Sequence, residues 1–489
     1  MAAPTSFACQ LTGIKNEGKE LRDSIPMQNA HTMPEFDADL IARYDGHGPR
    51  YTSYPSALQF HDRFGEADLR EAITASNHDL VPTPLSLYVH VPFCESPCFY
   101  CGCNRVITRD TSRADDYLRV LDHEIAMMGA LVDADRVVRQ LHLGGGTPNY
   151  LSLNAMSQLN ASIHQHFTPA PVDQREWGIE IDPRHANEIY VRGLARLGFN
   201  RVSIGIQDFD PAVQEAVNRV QSVEQTRVVI DTAKRAGYRS ISVDLIYGLP
   251  RQTMDGFSRT LDKVIELKPD RIAVYGYAHL PKMFKAQRRL DAEALPSPSE
   301  RLELFGMALR RLTEAGYVYV GMDHFALPDD DLVRAQRAGS LQRNFQGYST
   351  CGDCDIIGLG PSAISRIGDT YSQNQRDLVT YAATVNEGRL PVARGLRLSP
   401  DDQLRREAIG ELMCHGTLDM DAFAERHHIH FASYFRDALT HMQALADDGL
   451  VTLTEHRIDV CAKGRLLLRN IAMCFDAYAP AALSSSRLI

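Results

Sequence analysis

From residue 85 onward, short runs of apolar and β-branched residues alternate with longer segments in which apolar positions recur every three or four residues. The short runs predict strands, and the longer segments predict amphipathic helices that bury one face. Helices are predicted to begin near Leu153 and to span residues 223–236. Six strands are predicted, at residues 85–91, 137–143, 177–181, 201–206, 240–246 and 271–275. This alternation indicates parallel strands with right-handed crossovers, in an open doubly wound sheet or in a full or partial barrel.

The pattern changes on both sides of these strands and predicts five regions. Residues 1–36 have mixed charge and no apolar periodicity, so we expect a mobile extension. An N-terminal segment (37–84), the α/β core (85–295) and an extension of the core (296–395) follow, the last with a loop-rich stretch at 344–374. Residues 396–489 predict a mostly helical domain from Asp402, with short strands at 450–453 and 458–460 and an apolar helix at 465–475. Helices with a small hairpin indicate a winged-helix-like cap, and its expected role is packing.

Composition and charge narrow the class of protein. The chain has 489 residues, of which 44% are hydrophobic and 23% charged, as in globular proteins. Its net charge of -10 gives no basic footprint for nucleic acid, and no run approaches the ~20 apolar residues that span a bilayer. Ten cysteines, four of them between Cys94 and Cys103, suit a metal site in a reducing compartment better than a disulfide framework. We therefore expect a cytoplasmic protein that binds neither nucleic acid nor membrane.

Every predicted strand is followed by polar or metal-binding side chains. In parallel α/β folds the chemistry lies beyond the carboxyl ends of the strands, where the loops meet on one face. The residues that we expect on this rim are the cysteines from Cys94 on, Gly144 to Thr147, Glu180 to Arg184, Gln207, Asp208, Asp244, Tyr275, Tyr277 and His279.

Three thiols after the first strand, those of Cys94, Cys98 and Cys101, are spaced C-x3-C-x2-C. Because a cubane cluster takes four ligands, three local thiolates leave either a distant fourth ligand or an iron open to a chelating molecule. Structural zinc is the alternative, with Cys351 and Cys354 as a second pair of ligands. Zinc is less favoured because it leaves Cys103 and the polar rim unexplained. Cys103 itself is either a spare ligand or a group on the substrate side.

The cysteine spacing resembles the radical S-adenosylmethionine superfamily, and the wider motifs are similar to those of the oxygen-independent coproporphyrinogen III oxidases. The resemblance covers nearly all of the chain after about Asp37. Its motifs are residues 48–55 (GPRYTSYP), 88–94 (YVHVPFC), 101–104 (CGCN), 141–150 (LHLGGGTPNY), 344–348 (NFQGY), 358–360, 362–365, 373–375 and 463–475.

The resemblance implies a partial TIM-type (β/α)6 barrel with an N-terminal extension and a winged-helix-like C-terminal domain. It implies oxidative decarboxylation of two propionates of coproporphyrinogen III to vinyl groups in haem biosynthesis, without oxygen. The implied cofactors are one [4Fe-4S] cluster and two molecules of S-adenosylmethionine, and a low-potential donor supplies electrons. We expect a monomer in which residues 37–84 pack near the active site and 296–395 carry substrate and cofactor loops.

The resemblance also assigns residues. Cys94, Cys98 and Cys101 would bind the cluster. The residues tied to catalysis are Tyr88, Glu180, Phe345, Gln346 and Ile364. Those tied to S-adenosylmethionine or the cluster's surroundings are Tyr88, Tyr100, Gly145, Gly146, Thr147, Glu180, Gln207, Arg219, Asp244, Ala278 and Ile364. Arg50 and Arg184 are candidate clamps for substrate carboxylates, because guanidinium binds carboxylate bidentately.

Two other functions fit the same scaffold, a haem-binding insertion chaperone and a radical enzyme that degrades haem. The chaperone is less favoured because such relatives usually lack Gly102-Cys103 and the segment before the cluster. Cys351 and Cys354 depart from the family pattern. They are interpreted as two buried thiols, with a redox or second metal role as the alternative.

Overall fold

The computed structural model describes residues 33–46 and 48–479. The predicted extension at residues 1–36 therefore lies outside the described residues, apart from its last four positions. All six predicted core strands are confirmed, with bounds that differ by at most two residues. The first eight strands are β1 (Leu85–Val91), β2 (Phe93–Cys94), β3 (Val106–Ile107), β4 (Val138–Gly145), β5 (Glu176–Ile181), β6 (Arg201–Gln207), β7 (Ser240–Tyr247) and β8 (Arg271–Gly276).

The six long strands lie side by side in chain order, β1-β4-β5-β6-β7-β8, and each pairs with the next in parallel. A doubly wound sheet reverses its strand order partway, and this sheet does not. Consecutive right-handed crossovers without a reversal place every helix on the same face, which is how a barrel is built. The prediction of a partial (β/α)6 barrel is confirmed.

The helices before the C-terminal domain include the two whose first residues were predicted from the sequence, and both begin at the expected residue. Successive helices of the core pack against one another outside the sheet. Their bounds are α1 (Ala38–Tyr44), α2 (Glu66–Asn77), α3 (Ser112–Gly129), α4 (Leu153–His166), α5 (Glu188–Arg196), α6 (Pro211–Ala216), α7 (Val223–Arg235), α8 (Met254–Leu267), α9 (Pro298–Glu314), α10 (Asp331–Arg337) and α11 (Leu378–Asn386). Short 3-10 helices lie at Ala57–Gln59, Pro148–Tyr150, Pro183–His185, Lys285–Arg289, Ala292–Ala294 and Gly464–Leu467.

The prediction of a loop-rich stretch at residues 344–374 is wrong, because this stretch contains four strands and the end of a fifth. These short strands alternate with glycine turns and pair far along the chain, so local patterns do not reveal them. The extension contains β9 (Val318–Gly321), β10 (His324–Ala326), β11 (Gln342–Asn344), β12 (Gly347–Ser349), β13 (Asp355–Leu359), β14 (Ile364–Ile367), β15 (Thr370–Asn374) and β16 (Val392–Arg397). β13 pairs in parallel with β1, and β14, β15 and β16 follow antiparallel, so that one twelve-stranded sheet results.

The C-terminal domain has the element order of a winged helix. Its elements are α12 (Pro400–His415), β17 (Thr417–Asp419), α13 (Met420–His427), α14 (Phe431–Tyr434), α15 (Arg436–Asp447), β18 (Val451–Leu453), β19 (Arg457–Val460) and α16 (Leu468–Met473). The predicted hairpin is β18 and β19, and β17 joins its other edge. The predicted helix at 465–475 is wrong in part, because its first turn belongs to a 3-10 helix and only 468–473 are α-helical.

Two apolar cores support these parts. In the barrel, alternate strand residues such as Leu87, Val89 and Leu143 face outward and join the core formed with the helices. The second core combines the C-terminal helices with Leu40, Tyr51 and Tyr54 of the N-terminal segment. That segment therefore packs against the C-terminal domain. No helix among residues 33–46 and 48–479 has the length and apolarity needed to cross a bilayer.

Candidate active site

The inner face of the barrel is polar. Because side chains alternate along a strand, the apolar outward positions leave a second set of residues pointing inward. A cavity of about 190 Å³ is lined by inward residues that include Gln140, His142, Glu176, Glu180, Arg201, Ser203, Ser242, Asp244 and Tyr275. A barrel interior of this kind is a binding chamber rather than a packed apolar core.

A cluster of polar groups occupies the middle of this chamber. The ring of Tyr88 stacks on His142 with centroids 6.1 Å apart, and His142 Nε2 lies 3.4 Å from Glu180 Oε1. Ser203 donates a hydrogen bond to Asp244 at 3.1 Å. Burial, and then the charge of Glu180, raises the pKa of Asp244 to about 7. Glu180 and Asp244 are therefore close enough to act on one bound cation or polyol.

Glycines after β4 bring the backbone close to its neighbours. A Cβ on Gly144 would lie 2.8 Å from Glu180 Oε1, and one on Gly146 would lie 2.8 Å from the carbonyl oxygen of Phe93. Gly145 has φ +114°, a conformation that side chains rarely adopt, and a Cβ there would meet the ring of His90. Only glycine fits this turn between the chamber and the cysteines.

The cysteine loop, residues 94–103, is fixed mainly through its backbone. Arg105 donates to the carbonyl oxygens of Cys98, Cys101 and Cys103 at 3.0–3.3 Å. Asn218 donates to the Pro97 carbonyl at 2.7 Å. Because these bonds use carbonyl groups, the thiols themselves remain available as ligands.

Two arginines face the loop. Arg184 donates to Asp182 through Nε and Nη2. Arg219 Nη1 lies 3.0 Å from the same carboxylate and 3.6 Å from Cys98 Sγ. Burial acts to raise the pKa of Asp182, but the charges and hydrogen bonds of Arg219 and Arg184 hold it below its usual range. Asp182 is thus ionised, and two cations share one carboxylate beside a sulfur atom.

The donor set fits an iron-sulfur cluster with one open iron. A hydrogen bond with Cys103, and the charge of Arg105, lower the pKa of Cys101 to about 6, whereas burial raises that of Cys94 to about 11. Thr147 donates to Cys94 Sγ at 3.3 Å. Within the described part of the chain, no three His, Cys, Asp or Glu side chains are arranged around a single metal ion. In a cubane each thiolate binds a different iron, so its ligands stand further apart.

A larger space lies between the core extension, the N-terminal segment and the C-terminal domain. A cavity of about 1230 Å³ is bordered by Tyr51, Arg343, Phe345 and Arg406, and a neighbouring one of about 460 Å³ by Arg50, Phe345 and Ile364. Phe345, which borders both, packs edge-on against Tyr371. Nε and Nη1 of Arg343 and Nη1 of Arg406 are buried without a hydrogen-bond partner.

The structure groups the predicted site residues unevenly. Glu180, Asp244 and Gln346 line the barrel chamber, with Tyr88 stacked against its wall. Thr147 and Arg219 contact the sulfur atoms of the cysteine loop, and Tyr100 and Ala278 are joined by Gln287, which donates to both carbonyls. Gln207 ends β6 with φ +66°. Phe345 and Ile364 lie apart from these groups, on the neighbouring cavity.

Sequence reasoning missed two residues at the centre of the site. His142, between Tyr88 and Glu180, has the inward phase of β4, two residues before Gly144. Asp182 is expected on the rim only as one residue of the stretch 180–184, with no role assigned, although it continues the inward phase of Glu180 by two residues. Strict alternation along the strands is the signal that identifies both. The two candidate clamps are already occupied, Arg50 by Asp323 and Arg184 by Asp182.

Cys351 and Cys354 close a turn in which the amide of Cys354 donates to the carbonyl of Cys351 at 3.4 Å. Both are buried, and a hydrogen bond between the two thiols lowers the pKa of Cys351. Both cysteines are thus free, buried thiols.

Comparisons with known proteins cover most of the chain. The family model for the radical SAM superfamily matches residues 88–264, and that for the HemN C-terminal domain matches residues 398–467. Two relatives are named oxygen-independent coproporphyrinogen III oxidase. The one from Pseudomonas aeruginosa is 50% identical over 445 residues, and the one from Escherichia coli is 46% identical over 444 residues. Each alignment covers 91% of this chain and 96% of the relative.

A solved structure is similar over the same length. The coproporphyrinogen III oxidase (HemN) of Escherichia coli, described as a radical SAM enzyme, superposes with a TM-score of 0.87 at 46% identity. The match covers 91% of this chain and 100% of that one.

Proposed function

Because this chain belongs to the oxygen-independent coproporphyrinogen III oxidases, a family of radical S-adenosylmethionine enzymes, we propose that its barrel converts coproporphyrinogen III to protoporphyrinogen IX. The reaction is the oxidative decarboxylation of two propionates to vinyl groups. The observation that carries the proposal is the cysteine loop at the rim of a polar barrel, with Arg219 against Cys98 Sγ. The relatives' enzyme name favours this reaction over haem insertion or haem degradation.

Cys94, Cys98 and Cys101 would hold one [4Fe-4S] cluster. When bound, the cluster would supply the electron for reductive cleavage of S-adenosylmethionine and so the radical chemistry that oxidation of each propionate needs. The chain's own part is to fix the backbone at Cys98 and Cys101 through Arg105 and to place positive charge beside Cys98 through Arg184 and Arg219. The buried carboxylate of Asp182 keeps both arginines in place.

S-adenosylmethionine would lie between the cysteine loop and the middle of the chamber. The close approach of backbone at Gly145 and Gly146 suits its amino-acid end, and Glu180 and Asp244 offer acceptors for ribose hydroxyls or the sulfonium charge. His142 lies beside Glu180, and Tyr88 stacks on His142. Two molecules are proposed because the assigned residues Phe345 and Ile364 lie on a separate cavity. Equilibrium binding of labelled S-adenosylmethionine to the reconstituted protein counts them.

The larger cavity is our proposed entry and binding space for the tetrapyrrole. Its volume of about 1230 Å³ accommodates a large ligand, and the substrate carries four carboxylates. Arg343 and Arg406 have buried N–H groups without partners, whereas Arg50 and Arg184 are paired with aspartates. Arg343 and Arg406 are therefore better candidates for carboxylate clamps. Gln346, whose Nε2 is also buried without a partner, would orient the reacting propionate.

The same contacts support the roles that we propose for the N-terminal segment and the core extension, and the free cysteines support the proposed cellular location. Residues 51–53 of the N-terminal segment border both cavities, which supports its place beside the active site, and Gln346 and Ile364 supply the substrate and cofactor loops of the extension. All nine described cysteines are free thiols, as a cytoplasmic location requires. A monomer supplied by a separate electron donor completes the proposal, and sedimentation of the cluster-loaded protein tests its oligomeric state.

The direct test is an anaerobic assay of reconstituted protein with coproporphyrinogen III, S-adenosylmethionine and dithionite. Protoporphyrin, after oxidation of the product, and 5'-deoxyadenosine are followed by chromatography. Both products together support the proposed reaction. Formation of deoxyadenosine without protoporphyrin contradicts coproporphyrinogen III as the substrate. Tight haem binding with neither product favours the haem-binding chaperone.

A further inference from the structure

We propose that the surface beside the cysteine loop, formed by a basic segment at residues 281–289, is the docking site for an acidic, low-potential one-electron carrier protein. The inference rests on the proposed function, because that reaction needs an electron from outside the chain. It adds the kind of donor and the place where the donor binds.

The basic segment is chemically unlike the rest of the chain. It contains Lys282, Lys285, Arg288 and Arg289 and no carboxylate, whereas the whole chain has 62 acidic and 52 basic residues. All four cations are exposed. A protein of net charge -10 repels acidic partners at most of its surface, so a local group of cations selects where such a partner approaches.

The same segment is packed directly on the cysteine loop. Gln287 donates to the carbonyl of Tyr100 at 3.0 Å, and Tyr100 is bonded to Cys101 along the chain. The ring of Phe284 fills the space where a side chain on Gly102 would lie, and the guanidinium of Arg289 stands 5.4 Å from the ring centroid of Phe99. A carrier on this surface is therefore separated from the cluster ligands by little more than one layer of protein.

Apolar side chains at the same place complete a docking face. Met283 is 60% exposed within the segment, and Val220, next to Arg219, is 64% exposed. The backbones of Val217 and Phe99 are hydrogen bonded, and Leu290 packs in the same apolar cluster as Val217, so Val220 and the segment flank one loop. Exposed apolar residues rimmed by cations are the composition of a transient interface.

The large cavity proposed for the substrate lies elsewhere, between the N-terminal segment and the C-terminal domain. Electron delivery and substrate entry would then use different faces. In the transfer step, the anionic flavin hydroquinone of a flavodoxin loses one electron to become the neutral semiquinone. The cluster gains that electron, and no proton is transferred.

The test compares two double charge reversals. Lys282→Glu with Lys285→Glu changes the basic segment without touching Gln287, Phe284 or Arg289. The control, Arg63→Glu with Arg310→Glu, makes the same change of charge at exposed sites outside the loop and the segment. An acidic flavodoxin is the probe, and its association with each protein is measured at low and high salt, with and without cluster.

We expect the basic-segment variant to associate about tenfold more slowly than wild type at low salt, with most of the salt dependence lost, and the control to match wild type. Flavodoxin-driven cluster reduction should fall in parallel, while dithionite-driven reduction is unchanged. Equal association by both variants, or no binding of flavodoxin by wild type, overturns the docking site. Failure of the dithionite-driven assay in wild type refutes the proposed function instead, because binding is measured without turnover.

Discussion

The rim of the barrel and its lower interior both bury arginines, but they balance charge in opposite ways. At the rim, Arg184 and Arg219 share the single carboxylate of Asp182, and Arg219 also faces a sulfur atom. In the lower interior, Arg201 is shared by two carboxylates, Glu176 at 2.9 Å and Asp331 at 2.6 Å.

This difference distinguishes a binding site from a structural ion network. Buried charges need partners of opposite charge. At the rim two arginines share the single carboxylate of Asp182, so one positive charge is not balanced. On the proposed function, the thiolates of the cysteine loop would supply the missing negative charge. In the lower interior two carboxylates face the one cation of Arg201, and Thr350 donates to one of them, Glu176, at 2.5 Å. On the proposed function, the buried arginines would serve cofactor binding at the rim and stability in the lower interior.

The largest expected effect comes from removing a proposed cluster ligand. Cys98→Ala should lose the iron-sulfur cluster and cleavage of S-adenosylmethionine completely while the fold survives, because the loop is fixed through its backbone. Iron and sulfide analysis, deoxyadenosine formation and circular dichroism check this. The control is Cys461→Ala, at the remote C-terminal domain. Retained cleavage in the Cys98 variant would contradict the ligand assignment.

At the lower interior, Arg201→Met should cost about 3 kcal/mol of unfolding free energy, because two partly buried carboxylates lose their partner. Its iron content after reconstitution should equal that of wild type. Urea unfolding measures the loss, with exposed Arg310→Met as the control. A large loss of iron with unchanged stability would reverse the roles assigned to the two ends.

Between the two ends, Asp244 has no cationic partner within hydrogen-bond distance among the described residues, and its pKa is raised from 3.8 to about 7. The folded protein therefore keeps a proton that the unfolded chain releases between about pH 4 and pH 7, so stability falls as the pH rises through this window. Asp244→Asn should remove this fall. Between pH 4 and pH 8, the unfolding free energy of the variant should therefore rise by on the order of 1–3 kcal/mol relative to that of wild type. Urea unfolding of the cofactor-free proteins at both pH values checks it. Parallel pH profiles for variant and wild type would show that Asp244 is ionised in the fold.

The smallest effect is expected outside both ends. Replacing Cys351 and Cys354 together by serine should leave iron content and turnover within about twofold of wild type, since both are buried free thiols outside the cysteine loop. Loss of iron or of turnover, at unchanged folding, would instead support a redox or metal role for the pair.

Sequence patterns predicted the barrel well and its surroundings poorly. The core strands alternate apolar residues, which face the helices, with polar residues, which face the chamber, and glycine or polar residues follow each strand. β13 is equally buried, but its partner β1 lies some 270 residues earlier in the chain. The strands on either side of β13 in the sequence are short and separated by turns, so no repeating pattern of apolar residues identifies it. At the site, the cysteine spacing identified the thiols, whereas Arg219 came only from the family resemblance. Its pairing with Asp182 depends on how two loops meet, which spacing along the chain does not encode.

The claim that the rim's excess charge serves the cluster is tested most directly by Arg219→Met, compared with Arg201→Met after identical anaerobic reconstitution. Iron and sulfide per chain and the electron paramagnetic resonance of the reduced cluster are measured in both. We predict that Arg219→Met lowers cluster content or turnover by about tenfold, as loss of a group supporting a metal ligand does, while Arg201→Met retains the full cluster. Full cluster content and turnover in Arg219→Met would contradict the account.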